Sequence, residues 1–204
     1  MSNSTIKLHQ LTDLVPRRPL NPQEAIIVAE IQANMLLLYS EVTTIPVPVA
    51  DLIKRLGIVV EHDPQVDKLG RAAVASDGHW HIRHQKVDDP DLPATLAHLL
   101  KIILDQPFGA GLYPPTEVAT SGVRKHYVAE YFATALTMPQ QWVKQAWDYQ
   151  PDPIVIANNF GVRHETMLFR LRALGLITAE RVPLHHQLEL PRSPTLPRRA
   201  TTNP

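Results

Sequence analysis

The sequence contains no cysteine in its 204 residues. Disulfides and thiolate metal centres are thereby excluded, and histidine and the carboxylates remain as strong metal donors. The same absence fits a reducing compartment. A net charge is missing too: 20 basic side chains balance 20 acidic ones. No global field therefore draws the chain to nucleic acid or anionic membrane, and any such binding must be local. No apolar run is long enough to span a bilayer, and the opening MSNSTIKLHQLTDLVPRRP has no apolar signal core. These absences lead to the expectation of a cytoplasmic protein. What is present is a 44% hydrophobic content, enough for one domain of ordinary size. No internal repeat is visible.

The stretch 91–104, DLPATLAHLLKIIL, begins with Asp91 as a helix N-cap and Pro93 in the first turn, and then is apolar on nearly every face. A helix of that kind is buried all round and reads as the central rod of a domain. His98 and Lys101 interrupt it where a packed core favours leucine. Residues 123–139, VRKHYVAEYFATALTMP, read as a second helix ended by Met138 and Pro139.

Here the sequence resembles the ImmA/IrrE-like zinc metallopeptidases. That family carries H-E-x-x-H on a buried helix and, on a later helix, roughly E-x-x-A-N-x-F-A-x-x-L-L-M-P, whose first Glu is the third zinc ligand. Ala129, Phe132, Ala133, Leu136, Met138 and Pro139 match the later motif in register. With His98 on the first His, the general-base position holds Leu99 and the second His position holds Ile102. His126 stands at the third ligand. A catalytic zinc needs about three protein ligands, an open water site and a nearby carboxylate. Leucine and isoleucine supply none of these. The resemblance implies a zincin-like fold, and the residues argue against its usual chemistry.

Along the chain, residues 1–20 lack periodicity and read as a flexible arm. Asn21, Pro22 and Glu24 form a helix start. Ile27, Ile31, Met35 and Leu38 recur at helical spacing, predicting a long amphipathic helix to about Ser40. Residues 48–56 predict a short helix with Val49, Leu52, Ile53 and Leu56 inward and Gly57 as its stop. Residues 58–61 predict a strand. Residues 72–76 and 79–83 flank Asp77 and Gly78, a strong hairpin signal. On the second arm His79, His81 and Arg83 share one face and Trp80 and Ile82 the other. In the resembling family this strand borders the cleft, where it can pair with extended substrate. His79 and His81 have the spacing for two metal ligands; a solvated strand face is the plainer reading.

Residues 106–122 read as a long loop, a candidate lid or binding edge. Residues 140–149, with Trp142 and Trp147, predict a short helix. In residues 150–177, Ala157 and Gly161 have helix-turn-helix spacing, with Met167, Leu168 and Leu171 inward and Arg163, His164, Arg170 and Arg172 exposed as candidate DNA contacts. The stretch 170–177 also resembles the R-L-x-x-L-G-L-I ending of the metallopeptidase domain. Residues 179–204, rich in proline and arginine, read as a disordered tail.

The expected architecture is α+β: a zincin-like metallopeptidase fold, mostly helical, with a small sheet containing a β-hairpin and helix-turn-helix-like helices at its end. It divides into an arm (1–20), an ImmA/IrrE-like domain (21–178) and a tail (179–204). Three functions compete. The first is an inactive regulatory pseudoprotease without cofactor, its partner held through the strand edge at His79, His81 and Arg83 and through the 106–122 loop. In the resembling family, working enzymes cleave helix-turn-helix repressors that control stress-response or mobile-element genes, so a repressor is the implied partner. The second is a metal-dependent endopeptidase with His98, His126 and Glu130 as altered ligands, zinc being the implied metal. The third is a DNA-binding regulator working through residues 154–174. Lys101 belongs to the same central site, either reaching water at the helix edge or acting with a lowered pKa.

Overall fold

The computed structural model describes residues 7–85 and 89–178. The predicted tail, residues 179–204, lies outside them, as do residues 1–6 of the predicted arm. Among the described residues, eight α-helices and three strands follow in the order α1 (Leu8–Thr12), α2 (Pro22–Tyr39), α3 (Val49–Arg55), β1 (Val59–His62), β2 (Arg71–Val74), β3 (Trp80–His84), α4 (Leu92–Asp105), α5 (Ser121–Thr137), α6 (Gln140–Tyr149), α7 (Pro153–Phe160) and α8 (His164–Ala173). A short 3-10 segment, Gln106–Gly111, follows α4 directly. This is the expected α+β architecture. No helix among the described residues is long and apolar enough to cross a membrane.

α4 is the central rod that its composition predicts. Leu96, Ala97, Leu99, Leu100, Ile103 and Leu104 are all buried, and α5, α3, the sheet and α1 pack around them. Asp91 takes the N-cap position without capping the helix by its side chain. Its carboxylate instead pairs with Arg163 at the start of α8. α5 lies alongside α4 and α2 and buries Val128, Phe132, Ala133, Ala135 and Leu136. Asn21 and Glu24 cap α2 reciprocally, with Pro22 in its first turn.

The sheet order is β1-β3-β2, with β3 parallel to β1 and antiparallel to β2. The hairpin turns as Asp77 and Gly78 predict. Gly78 N–H donates to Ala75 O at 3.0 Å, and Gly78 sits at φ +80°, the left-handed position that closes a three-residue hairpin loop. Ile82 is fully buried and Trp80 packs on the core.

Three expectations are corrected. Residues 7–20 are not a flexible arm: Leu11, Val15 and Leu20 are buried in the main core, and Leu20 N–H donates to Leu112 O at 2.9 Å. These apolar residues are spaced irregularly, so no periodicity reveals them. The 106–122 stretch is not a free loop, because it opens with the 3-10 segment and buries Leu112 and Tyr113. Arg124 fastens it by donating to Pro114 O and Leu20 O. The third correction concerns α2. Its buried face is Ala25, Val28, Ala29, Gln32, Ala33, Leu36 and Leu37, whereas Ile27, Ile31 and Leu38 face outward.

A second, smaller apolar cluster joins the last three helices through Met138, Val143, Ile156, Ala157, Phe160, Met167, Leu168, Leu171 and Ile177. α7 ends at Gly161, which has φ +63°. A Cβ there would lie 2.9 Å from Pro46 Cγ, so this turn needs glycine for both its conformation and its close approach.

Candidate functional site: a cleft over α4

One face of α4, one face of α5 and the start of α8 enclose a cavity of about 410 Å³. His98 reaches it from α4, His126 and Glu130 from α5, and Phe169 from α8. Helical geometry explains the grouping on α5: residues four apart lie above one another, and His126 Nε2 is 3.0 Å from Glu130 Oε1. The His98 and His126 rings lie 4.8 Å apart, centre to centre, tilted by 59°. Leu69, Tyr127 and Phe169 supply an apolar rim, each strongly exposed. Sequence reading missed these three, since isolated exposed apolar residues carry no periodic signal. A larger hollow of about 860 Å³ lies between the N-terminal segment and the 3-10 segment; the candidate 106–122 stretch lines it through Pro107, Phe108, Gly111 and Leu112, and none of the candidate histidines, arginines or Glu130 does.

His98 is held neutral at physiological pH. Burial, and then the neighbouring His126, push its pKa from 6.5 down to about 4. Beside it, Leu99 occupies the place where the resemblance puts a general base. Leu99 is only 3% exposed. A Cβ built on Gly70 would meet Leu99 Cδ1 and the Arg83 carbonyl oxygen at 2.8 Å each, so the apolar side chain fills the space beneath the loop. A zinc site needs about three converging donors. Among the described residues no three His, Asp or Glu side chains come together closely enough to hold a metal ion. His98, His126 and Glu130 share a cavity as two imidazoles and one carboxylate, the carboxylate already paired with His126 on its own helix.

Lys101 does not belong to this cleft, and it does not reach water. It is fully buried on the core side of α4. Its Nζ donates to Asp105 Oδ1 at 2.5 Å and to Gln32 Oε1 at 2.9 Å. Tyr113 O–H donates to the other Asp105 oxygen at 2.8 Å, and Gln32 Nε2 donates to Leu11 O at 2.9 Å. Burial lowers the Lys101 pKa while Asp105 opposes the shift. The result is a closed network linking α1, α2, α4 and the segment after it, with donors and acceptors matched as a buried polar cluster requires.

The hairpin face is also corrected. β3 is the middle strand, paired on both sides, so the backbone at His79, His81 and Arg83 offers no free edge to a peptide. His81 is committed locally, its Nε2 donating to Asp77 Oδ2 at 2.9 Å and its Nδ1 lying 3.3 Å from Glu61 Oε1. The bond to Asp77 raises its pKa above the usual value. Arg83 pairs with the same Glu61 at 3.3 Å.

The proposed DNA contacts separate. Arg170 is fully buried, so it is not an exposed contact. Its Nε donates to Met138 O at 3.0 Å, its two terminal nitrogens bind Glu30 at 3.2 and 2.8 Å, and its guanidinium lies 5.7 Å from the Tyr131 ring. Arg163 is exposed and paired with Asp91. Arg172 is half-buried with its Nε enclosed, and His164 is half-buried. Arg163 and Arg170 thus tie α8 to the rest of the domain.

No protein-family model matches the sequence, and no curated protein matches it either. Among solved structures, a Mycobacterium tuberculosis transcriptional regulator superposes with a TM-score of 0.53 at 18% identity. The match covers 81% of this chain and 52% of that one. At that identity the likeness concerns the fold, and the present chain spans about half of the regulator's length.

Proposed function

We propose that this chain is a regulatory protein of transcription whose metallopeptidase-like cleft binds a protein partner without cutting it, the partner being a helix-turn-helix repressor or a similar protein. The observation that carries this reading is the cleft itself. It keeps an apolar, aromatic rim suited to a protein segment, while Leu99, next to His98 on α4 but buried under the Gly70 turn, stands where the resemblance would put the carboxylate that hydrolysis needs. Binding surfaces outlive chemistry when only the reacting groups are replaced. The fold shared with a transcriptional regulator supports the regulatory setting. The recognition surface is the rim of Leu69, Tyr127 and Phe169 around His98, rather than the strand at 79–83.

The test is binding of the full chain to the repressor encoded by a neighbouring gene, measured by interferometry alongside a cleavage assay. Binding without cleavage, weakened about tenfold or more in a Tyr127→Ala, Phe169→Ala variant, supports the reading. No binding to that repressor, together with co-purification that recovers no partner, overturns it. A second reading rests on the 4.8 Å approach of His98 and His126: an endopeptidase with altered ligands, including Glu130. Near-stoichiometric zinc in protein purified without tag or chelator, lost in His98→Ala, together with repressor cleavage, would favour that reading instead.

A further inference from the structure

α2 has two apolar faces, and the domain covers one of them. A helix that is apolar all round is ordinarily buried all round, yet Ile27, Ile31 and Leu38 are 58%, 44% and 68% exposed. Met35 flanks them half-buried, and Asn34 lies among them. No Lys, Arg, Asp or Glu falls within the line formed by residues 27, 31, 34 and 38. The carboxylates flanking the helix start and middle are engaged within the chain, Glu24 by Arg18 and Glu30 by Arg170, and Glu41 lies beyond the last turn.

The spacing identifies what fits. Residues 27, 31, 34 and 38 are separated by four, three and four, the seam of a two-helix coiled coil. That spacing reads the same in both directions. Laid antiparallel on a second copy about a twofold axis near residues 32 and 33, Ile27 faces Leu38 of the other copy and Ile31 faces Asn34. We propose that α2 is a homodimerisation helix, pairing antiparallel with α2 of a second copy of this chain. The exposed stripe amounts to roughly 400 Å² per protomer. With neighbouring side chains such as Tyr39, the pair approaches the ~1,000 Å² total that a specific interface needs. The pairing is separate from the cleft and does not depend on the function proposed above.

Light scattering on the full chain, from about 1 to about 200 μM, tests the pairing. The mass should rise from 22.9 kDa to twice that value. The Ile31→Glu, Leu38→Glu variant should stay at the single-chain mass throughout, and at a concentration where the wild type is monomeric the two should melt at the same temperature, because both residues are on the surface. A wild type that is monomeric at the highest concentration, or a variant that still dimerises, overturns the proposal. The chain has no cysteine of its own, so introduced thiols report the geometry. Ile27→Cys with Leu38→Cys should oxidise to a covalent dimer. Ile27→Cys alone should not, since the two copies of residue 27 lie about 16 Å apart along antiparallel axes and a disulfide needs Cα atoms within about 7 Å. Efficient cross-linking of Ile27→Cys alone indicates parallel helices and overturns the antiparallel arrangement.

Discussion

His98 and Lys101 are three residues apart on one helix, and both interrupt the same apolar run, yet they belong to different parts of the molecule. Lys101 faces inward and is fully buried, with an acid, an amide and a tyrosine closing the network around it. His98 faces a cavity beside a second imidazole, and burial holds it neutral. The lysine organises the core; the histidine lines a surface that can meet a partner. A polar residue in a buried helix is therefore classified by which neighbours answer it, and one turn of helix suffices to change the answer.

The strongest perturbation of this contrast is Asp105→Ala. Removing the carboxylate leaves a buried ammonium without its counter-charge, and such a loss destabilises a fold by about 3 to 5 kcal/mol. Chemical denaturation should show it, and Lys101→Met combined with Asp105→Leu should recover much of the loss. If Asp105→Ala costs no more than a surface substitution, the core assignment of Lys101 is wrong. Arg170→Ala comes next, at about 3 kcal/mol, because it strips a bidentate partner from Glu30 and the donor from Met138 O. The same unfolding curves measure it.

On the cleft side the effect is smaller and depends on pH. The His98 pKa is near 4 in the fold and 6.5 ordinarily. Above pH 6.5 both states are neutral and the residue contributes nothing to the pH dependence. As pH falls from 6.5 toward 4 the unfolded chain takes the proton first, so stability is lost across that window. Allowing for solvent around a half-buried ring, the loss is about 1 to 2 kcal/mol. His98→Gln should flatten that part of the stability profile, and a profile of unchanged slope would contradict the assignment. Smallest of all is Glu130→Gln, an exposed partner in a one-turn pair, with about 0.5 kcal/mol or less in thermal melts. A larger loss would mean that Glu130 does more than pair with His126.

Much of the fold was legible in the sequence where one physical signal dominated. The all-round apolar run gave α4, the Asn21-Pro22-Glu24 start gave α2, and Asp77-Gly78 gave the hairpin. Orientation was far less legible. The periodic stripe of Ile27, Ile31, Met35 and Leu38 located α2 correctly but does not mark its buried face, because the alanines at 25, 29 and 33 are buried without standing out as hydrophobic. Arg170 looked like a surface cation, since nothing local announces that Glu30, far away in sequence, will meet it. Strand order was likewise invisible: β3 becomes central only when β1 pairs with it in parallel from across a long connection. At the candidate site, the sequence located His98, His126 and Glu130 near one another, and the cavity groups them. The rim of Leu69, Tyr127 and Phe169 arises from three separate elements, which no spacing rule connects.

The close approach of Leu99 to Gly70 leaves no spare room around position 99. A glutamate introduced at position 99 would carry a negative charge into a buried, apolar space under the Gly70 turn. Position 70 cannot readily compensate, because a side chain there meets both Leu99 and the backbone of β3. Substitutions at either position are therefore constrained by packing, whatever the cleft binds, and a carboxylate at position 99 would be accommodated only with concerted change in the loop, the strand and the helix.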